Sequence, residues 1–177
     1  MIKMHKGQQY LWILLFLLFG LAGCEPHQGW KLAPGMYILD KDTPVETFAE
    51  LKARLPEKAI YVDRWATWCG PCLEEFVHYD SLRPFLEQHD IEILYLNSDM
   101  VIEESQWFEF IKEHGLRGYH VRLNGKLQRN LINEEVYVPR IPHFMIMDSA
   151  GSVLVKQAMQ PSDGVALQKQ LTEALNL

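Results

Sequence analysis

Two cysteines lie close together in the sequence and could carry out redox chemistry. Cys69 and Cys72 are separated by two residues, and they follow an apolar segment and precede an amphipathic one. Thiol–disulfide exchange needs a thiolate that its substrate can reach, and a position at the start of a helix stabilises that thiolate. A second thiol one helical turn later lies deeper and can resolve a mixed disulfide. The spacing therefore predicts a dithiol in which Cys69 attacks and Cys72 resolves.

Two other uses of this pair are weighed from the residues alone. A structural zinc site needs four ligands, and the spacing of His78 and His89 from the cysteines matches no zinc-finger pattern. We therefore expect no metal site. A purely structural disulfide is the second alternative, although a domain of this size has a core large enough to stand without one.

The apolar pattern provides a strand before the cysteines and a helix after them. Residues 59–65 form a short apolar run typical of a buried parallel strand, and residues 70–87 carry apolar side chains at helical spacing. Upstream, Thr43, Pro44 and Glu46 predict a helix start, and Pro56 ends that helix. Further elements are predicted as strands at 91–96 and 119–123, helices at 102–114 and 127–135, a hairpin at 144–147 and 153–156, and a last helix opened by Ser162. This alternation predicts an α/β domain with a mixed central sheet.

The segment from Val62 to Cys72 resembles the active-site region of the thioredoxin superfamily. It carries Asp63 six residues before the first cysteine, then Trp65 and Trp68, and then the sequence Cys-Gly-Pro-Cys. The resemblance implies a thioredoxin fold, in which helices flank a central mixed β-sheet.

A later proline extends the resemblance. Ile141-Pro142, just before a predicted strand, matches the place of the superfamily's cis-proline. The span from Cys72 to Pro142 is longer than in thioredoxin itself. It is similar to the membrane-tethered thiol–disulfide oxidoreductases that include cytochrome c maturation reductases, which implies an extra helix and strand inserted before the cis-proline strand. Asn97-Ser98-Asp99 also looks like that branch.

The resemblance assigns roles to the residues that match the family's motifs. Asp63 would be a buried proton acceptor that helps to deprotonate Cys72, with a solvent-facing structural carboxylate as the alternative. Glu75 would tune the cysteine pair, unless Glu74 and Glu75 simply form a solvated helix face. The backbone of Ile141 would pair with a substrate chain in β fashion. The substrate-contacting residues are expected to be Trp68, Gly70, Pro71, Ile141 and Pro142. No cofactor is expected beyond the Cys69–Cys72 disulfide.

Two residues depart from the family's pattern. Arg64 stands where the family usually has an apolar residue, and we expect it to pair with a carboxylate or to alter the surface beside the site. Val77 stands where this branch often has a proline that kinks the helix.

The resemblance favours reduction of disulfides as the function. Gly-Pro between the cysteines is similar to thioredoxin, whose potential is near −270 mV, whereas strong oxidants lie near −120 mV. A reductase of exported proteins would need a membrane electron donor, because the compartment is oxidising. A disulfide oxidase or isomerase is an alternative. A copper metallochaperone that uses Cys69, Cys72 and His143 is another, although copper-delivery proteins of this fold usually separate their cysteines by three residues.

The first residues are typical of a sorting signal. Lys3 and Lys6 precede an apolar run at 11–21, which is too short for a membrane-spanning helix of about 20 residues. Leu-Ala-Gly-Cys24 resembles the lipobox of bacterial lipoproteins, which implies acylation of Cys24. We therefore expect a signal peptide at 1–23, a lipidated tether at 24–42 and the thioredoxin-like domain at 43–177. An uncleaved anchor helix is the alternative, and residues 30–39 could instead pair as an edge segment.

Composition narrows the partners. Hydrophobic residues make up 48% and charged residues 23%, which is typical of a globular domain, and the net charge is −6. Acidic and basic residues are interspersed without a basic stripe, so nucleic acid is not an expected partner. We expect a monomer in the cell envelope, lipid-anchored and facing the periplasm or the exterior. Its partners would be disulfide-containing exported proteins and a membrane electron donor.

Overall fold

A mixed sheet lies at the centre of the protein. The computed structural model describes residues 32–99 and 104–177. Within them the strands are β1 (Met36–Ile38), β2 (Ala59–Trp65), β3 (Ile91–Asn97), β4 (Gly118–Arg122), β5 (His143–Met147) and β6 (Val153–Val155). Their order across the sheet is β1-β4-β3-β2-β5-β6. The first four of these neighbours run parallel, and β5 is antiparallel to both β2 and β6. The predicted mixed α/β architecture is confirmed.

Helices cover both faces of the sheet. Their bounds are α1 (Phe48–Arg54), α2 (Gly70–Phe76), α3 (Tyr79–Gln88), α4 (Glu104–Glu113), α5 (Gly125–Asn133) and α6 (Val165–Leu175), with a short 3-10 turn at Pro161–Asp163. Buried residues of α1 and α5 form one core cluster, and those of α2, α3, α4 and α6 form another. None of the helices in the described ranges is both long and apolar enough to cross a bilayer.

Strand β2 divides its side chains between the two cores. Ile60 and Val62 belong to the cluster with α1 and α5, whereas Tyr61 and Trp65 belong to the cluster that also contains both cysteines. This alternation follows from the period of two in a β-strand. Because Asp63 lies between Tyr61 and Trp65 at the same period, its side chain is directed to the face that holds the cysteines.

The segment between α3 and β5 contains the predicted insertion. It forms β3, α4, β4 and α5 in turn, and therefore includes the additional helix and strand expected before the Pro142 strand. The predicted helix at 102–114 is described from Glu104 onwards.

The tether prediction is wrong in its second half. Met36–Ile38 pair in parallel with Gly118–His120 as an edge strand, and the compact unit of the chain extends from Leu32 to Leu177 instead of beginning at residue 43. The alternative of an edge segment within residues 30–39 describes this part of the chain better. The predicted signal peptide and the predicted lipidation of Cys24 lie outside the described residues.

The first helix begins later than predicted. Thr47, and not Thr43, is its N-cap, and the Thr47 side chain accepts a hydrogen bond from the Glu50 backbone N–H. The carbonyls of Thr43 and Pro44 instead accept hydrogen bonds from the Arg54 guanidinium, at 2.8 and 3.3 Å. These carbonyls would have accepted the first bonds of a helix that started at residue 43, and in the structure they bond to Arg54 instead.

The long helix predicted after the cysteines is two helices. The chain breaks at Val77 and His78, where the His78 N–H bonds to the Glu75 carbonyl in a tighter turn, and α3 then begins at Tyr79. The break occurs at the position where the related branch often has proline, although this chain has Val77. A smaller difference is found at the end of the chain, where Ser162 lies in the 3-10 turn and α6 begins only at Val165.

Candidate active site

The two cysteines lie where β2 gives way to α2. Cys69 is the N-cap of α2 and Cys72 lies in its first turn, and their sulfurs are joined in a disulfide. The Cys72 backbone N–H is 3.3 Å from Cys69 Sγ. In this oxidised form Cys69 is 5% exposed and Cys72 is 1% exposed, so Cys72 is the deeper of the two.

A buried carboxylate holds the loop that carries Cys69. Asp99, just after β3, accepts hydrogen bonds from the backbone N–H and the hydroxyl of Thr67, each at 3.0 Å. The Asn97 side-chain amide donates to the same carboxylate at 2.7 Å. Next to Thr67, Trp68 is 70% exposed and lies beside the cysteines on the surface. The Asn97-Ser98-Asp99 segment thus holds the part of the chain that leads to Cys69, the attacking cysteine.

The predicted acid, Asp63, is buried and does not point into solvent. Tyr79, at the start of α3, donates its hydroxyl to Asp63 Oδ2 at 2.8 Å. Burial raises the pKa of Asp63 to about 7, the Tyr79 hydrogen bond opposes that rise, and the nearby charge of Glu75 adds to it. A carboxyl group with this pKa can both accept and release a proton near neutral pH.

Glu75 is buried and does not form a solvated face, whereas its neighbour Glu74 is exposed. The Glu75 carboxylate accepts hydrogen bonds from the Ser162 backbone N–H at 2.8 Å and from the Ser162 hydroxyl at 2.9 Å. The 3-10 turn at Pro161–Asp163, just before α6, is therefore hydrogen-bonded to α2, the helix that carries the cysteines.

The proline predicted to face the cysteines has the expected peptide geometry. The Ile141–Pro142 bond is cis, and both residues are partly exposed at the start of β5. Strand β5 pairs with β2, so that His143 lies opposite Arg64 and Phe144 opposite Asp63. This register carries Ile141 and Pro142 to the end of β2 from which the cysteine motif departs.

Arg64 pairs with backbone carbonyls, and the expectation of a carboxylate partner is wrong. Its guanidinium donates to the carbonyl of Val138 and to that of Arg140, the latter at 3.0 Å. It also lies over the Tyr137 ring, 4.4 Å from the centroid. Arg64 is buried, so its guanidinium is held against the loop that leads to Pro142. Burial lowers the pKa of Arg64.

His143, suggested as a copper ligand, has another contact. Its Nε2 lies 2.7 Å from the Lys156 carbonyl, and burial lowers its pKa. Within residues 32–99 and 104–177 no group of three or more His, Cys, Asp and Glu side chains is arranged to hold a metal ion.

Three residues of this arrangement were not assigned a role from the sequence. Tyr79 matches the pattern of an ordinary buried aromatic on a helix, and Ser162 lies far along the chain from Glu75. Asp99 could have been assigned, because a polar residue that follows a parallel strand beside an active-site strand lies at the edge where ligands bind.

Known proteins resemble this chain in sequence and in fold. A model of the thioredoxin-like family matches residues 57–153. The thiol-disulfide oxidoreductase ResA of Bacillus cereus is 26% identical over 111 residues, which cover 59% of this chain and 63% of ResA. The match therefore spans less than two thirds of that relative.

Solved structures show the same fold. A candidate thiol-disulfide oxidoreductase from Bacteroides vulgatus is 27% identical, with a TM-score of 0.52 over 69% of this chain and 76% of the other. For a thiol-disulfide oxidoreductase from Bacteroides fragilis the TM-score is 0.51 at 20% identity, over 68% of this chain and 83% of the other, a likeness of fold alone. With its family model covering more than half of its length, this chain belongs to the thioredoxin-like family.

Proposed function

We propose that this chain is a thiol–disulfide oxidoreductase that reduces disulfides of exported proteins through Cys69 and Cys72. One observation carries the proposal: a cysteine pair able to form a disulfide at the start of α2, with the buried Asp63 on the same face of β2. The similarity to ResA supports the reaction class.

The first chemical step belongs to Cys69. In the reduced enzyme its thiolate attacks one sulfur of a substrate disulfide, a new S–S bond forms, and the other substrate sulfur leaves as a thiolate. The Cys72 N–H is directed at Cys69 Sγ and favours the charged form of that sulfur. The attack therefore begins from a stabilised nucleophile.

The second step belongs to Cys72. Its thiol gives a proton to Asp63, and the resulting thiolate attacks Cys69 Sγ. The mixed S–S bond breaks, the second substrate thiolate leaves, and the Cys69–Cys72 disulfide forms. The substrate gains two electrons that the dithiol loses, so a donor must reduce the pair before the next turnover.

Substrate chains would bind around the exposed Trp68 and the backbone of Ile141. Gly70 and Pro71 are also exposed beside Cys69, which leaves a small and uncharged surface next to the attacking sulfur. An extended chain could add to the backbone at Ile141 and place its disulfide over Cys69.

The proposal places the protein in the cell envelope, held by acylated Cys24 and reduced by a membrane electron donor. Support comes from the basic and apolar residues before Cys24. Two or three acyl chains hold a protein firmly at a bilayer, whereas one binds marginally.

The deciding experiment is the equilibrium reduction potential of the Cys69–Cys72 pair in the purified full-length chain. The protein would be equilibrated against a dithiothreitol or glutathione series, with C69S and C72S as controls that cannot form the bond. We expect a value near or below about −250 mV, the range of reductases. A value between about −180 and −120 mV would make the protein an oxidase or isomerase. A pair that forms no disulfide at any poise would refute redox catalysis.

A further inference from the structure

Tyr79 is the hydrogen-bond donor to the buried acid of the site. Both side chains are almost fully buried, and the Tyr79 hydroxyl lies 2.8 Å from Asp63 Oδ2. The second oxygen, Oδ1, has no hydrogen-bond partner among the described residues. One oxygen of the carboxylate is therefore held, and the other is buried without a partner in the described part of the chain. Tyr61 and Trp65, which flank Asp63 on the same face of β2, pack in the core cluster that contains Cys72.

Other titratable groups surround this pair without replacing Tyr79. On β2 itself, the Tyr61 hydroxyl donates to the Met159 carbonyl at 2.6 Å. On β3, Tyr95 is fully buried and lies near Arg83 of α3. The charge of Glu75 on α2 acts on Asp63 from a distance, while its own carboxylate is bonded to Ser162.

The last neighbour of the pair is apolar. On β5 the residue opposite Asp63 is Phe144, which stacks on Tyr61 and does not titrate. Within the described residues, Tyr79 is thus the side chain that donates a hydrogen bond to Asp63.

We propose that Tyr79 is a positioning residue for the proton transfer from Cys72, and this inference rests on the proposed function. Its hydroxyl fixes Asp63 through Oδ2 and leaves Oδ1 to receive the Cys72 proton. In the resolving step the S–H bond of Cys72 breaks and an O–H bond forms at Oδ1. The electron pair left on Cys72 Sγ then forms the bond to Cys69 Sγ as the substrate thiolate departs.

The hydrogen bond also keeps the base in its working form. Burial favours the protonated, inactive acid, whereas donation from Tyr79 favours the carboxylate. Removal of the donor should raise the pH at which Asp63 loses its proton. A variant without the hydroxyl would therefore need a higher pH for Cys72 to attack.

The test follows single turnovers of the reduced full-length chain with 5,5′-dithiobis(2-nitrobenzoate). Attack by Cys69 releases one coloured thiolate, and resolution by Cys72 releases a second, in a phase that C72S lacks. For Y79F we expect the pH profile of this second phase to shift upward by roughly one pH unit, the size of one hydrogen bond to a charged group. Its rate should fall about tenfold on the acidic limb and match the wild-type rate at the alkaline end.

Y61F is the matched control, because it removes a buried hydroxyl from the same aromatic cluster and leaves the Asp63 bond intact. Y61F should keep the wild-type profile, and Y79F should cause no further shift in a D63N background. The proposal would be overturned by any of three results: a Y79F profile that is not shifted, a shift in Y61F equal to that in Y79F, or a full shift when Y79F is added to D63N. These results are distinct from failure of the proposed function, in which the wild-type chain itself shows no second phase.

Discussion

The carboxylate of Asp99 accepts two hydrogen bonds from Thr67, one from the backbone N–H and one from the hydroxyl. Thr67 lies two residues before Cys69, so Asp99 fixes the loop from which the nucleophile projects. Since Asp99 follows β3 and Thr67 follows β2, the contact joins the ends of two neighbouring parallel strands. The position of Cys69 thus depends on a residue that is thirty positions away in the sequence.

Thr67 and Asp99 should differ in their importance for stability. T67V removes only the hydroxyl bond, and we expect a loss of about 1 kcal/mol in the free energy of unfolding. D99A leaves the Thr67 N–H and the Asn97 amide without their acceptor, and we expect about 3 kcal/mol. Urea unfolding of the oxidised proteins measures both values. Equal losses in the two variants would show that the bonds from the Thr67 N–H and the Asn97 amide to Asp99 contribute nothing to stability.

The contact between Glu75 and Ser162 should stabilise the folded protein, independently of any effect of Glu75 on the cysteines. E75A removes both hydrogen bonds that hold Ser162, and we expect a loss of about 2 kcal/mol, whereas E75Q keeps an acceptor and should lose about 1 kcal/mol or less. The matched control is E74A, because Glu74 is the exposed neighbour on the same helix and should change stability by no more than about 0.5 kcal/mol. Thermal or urea unfolding of the three variants gives the order, and a wild-type stability for E75A would contradict it.

Arg64 should affect large substrates more than small ones. R64M loses both hydrogen bonds to the loop at 138–140, which leads directly to Ile141. We expect the rate of reduction of a protein disulfide to fall about tenfold, a change of about 1.4 kcal/mol. The reaction of Cys69 with a small aromatic disulfide should change little. R64K keeps the charge but not the paired geometry and should lie between wild type and R64M. Equal losses with both substrates would place the effect at the cysteines.

Asp63 should make the oxidised protein less stable as pH rises. Its pKa in the folded state is raised to about 7 from an ordinary 3.8, so the folded state binds the proton more tightly than the unfolded state. Stability linked to this group is fully present below about pH 4 and is lost as pH rises through 7. D63N avoids this loss. At pH 8 we expect D63N to be more stable than wild type by up to about 4 kcal/mol, with the difference vanishing near pH 4.

Urea unfolding across this pH range measures the difference between D63N and wild type. A difference that is independent of pH would mean that Asp63 has an ordinary pKa in the folded protein.

The sequence predicted the elements whose signals are local. Residues 59–65 are mostly apolar, and the turn at 148–151 has the composition of a hairpin turn. Strand β2 and the β5–β6 hairpin were therefore predicted within one residue. The cysteine motif predicted where β2 ends and a helix begins for the same reason. The local sequence was therefore sufficient to predict where these parts of the site lie.

Other features depend on contacts between distant residues. Thr43 and Thr47 are each followed by a glutamate three residues later, so the local pattern does not distinguish them as helix caps. In the structure Arg54 bonds to the carbonyls of Thr43 and Pro44, and the distant Asn124 bonds to that of Val45. Neither proline nor glycine marks the helix break at Val77. The partners of Arg64 lie more than seventy residues away, and no local pattern could indicate that they are carbonyls.

The break at Val77 and His78 has a mechanical consequence. On its N-terminal side, α2 carries the cysteines and is anchored to Ser162 through Glu75; on the other side, α3 carries Tyr79 and is anchored to Asp63. A continuous helix would behave as a rigid rod, and any rotation at the sulfurs would reach Tyr79. Because the two helices are separated at Val77 and His78, we expect a shift of the cysteines on opening of their bond to reach Tyr79 less directly than it would through one continuous helix.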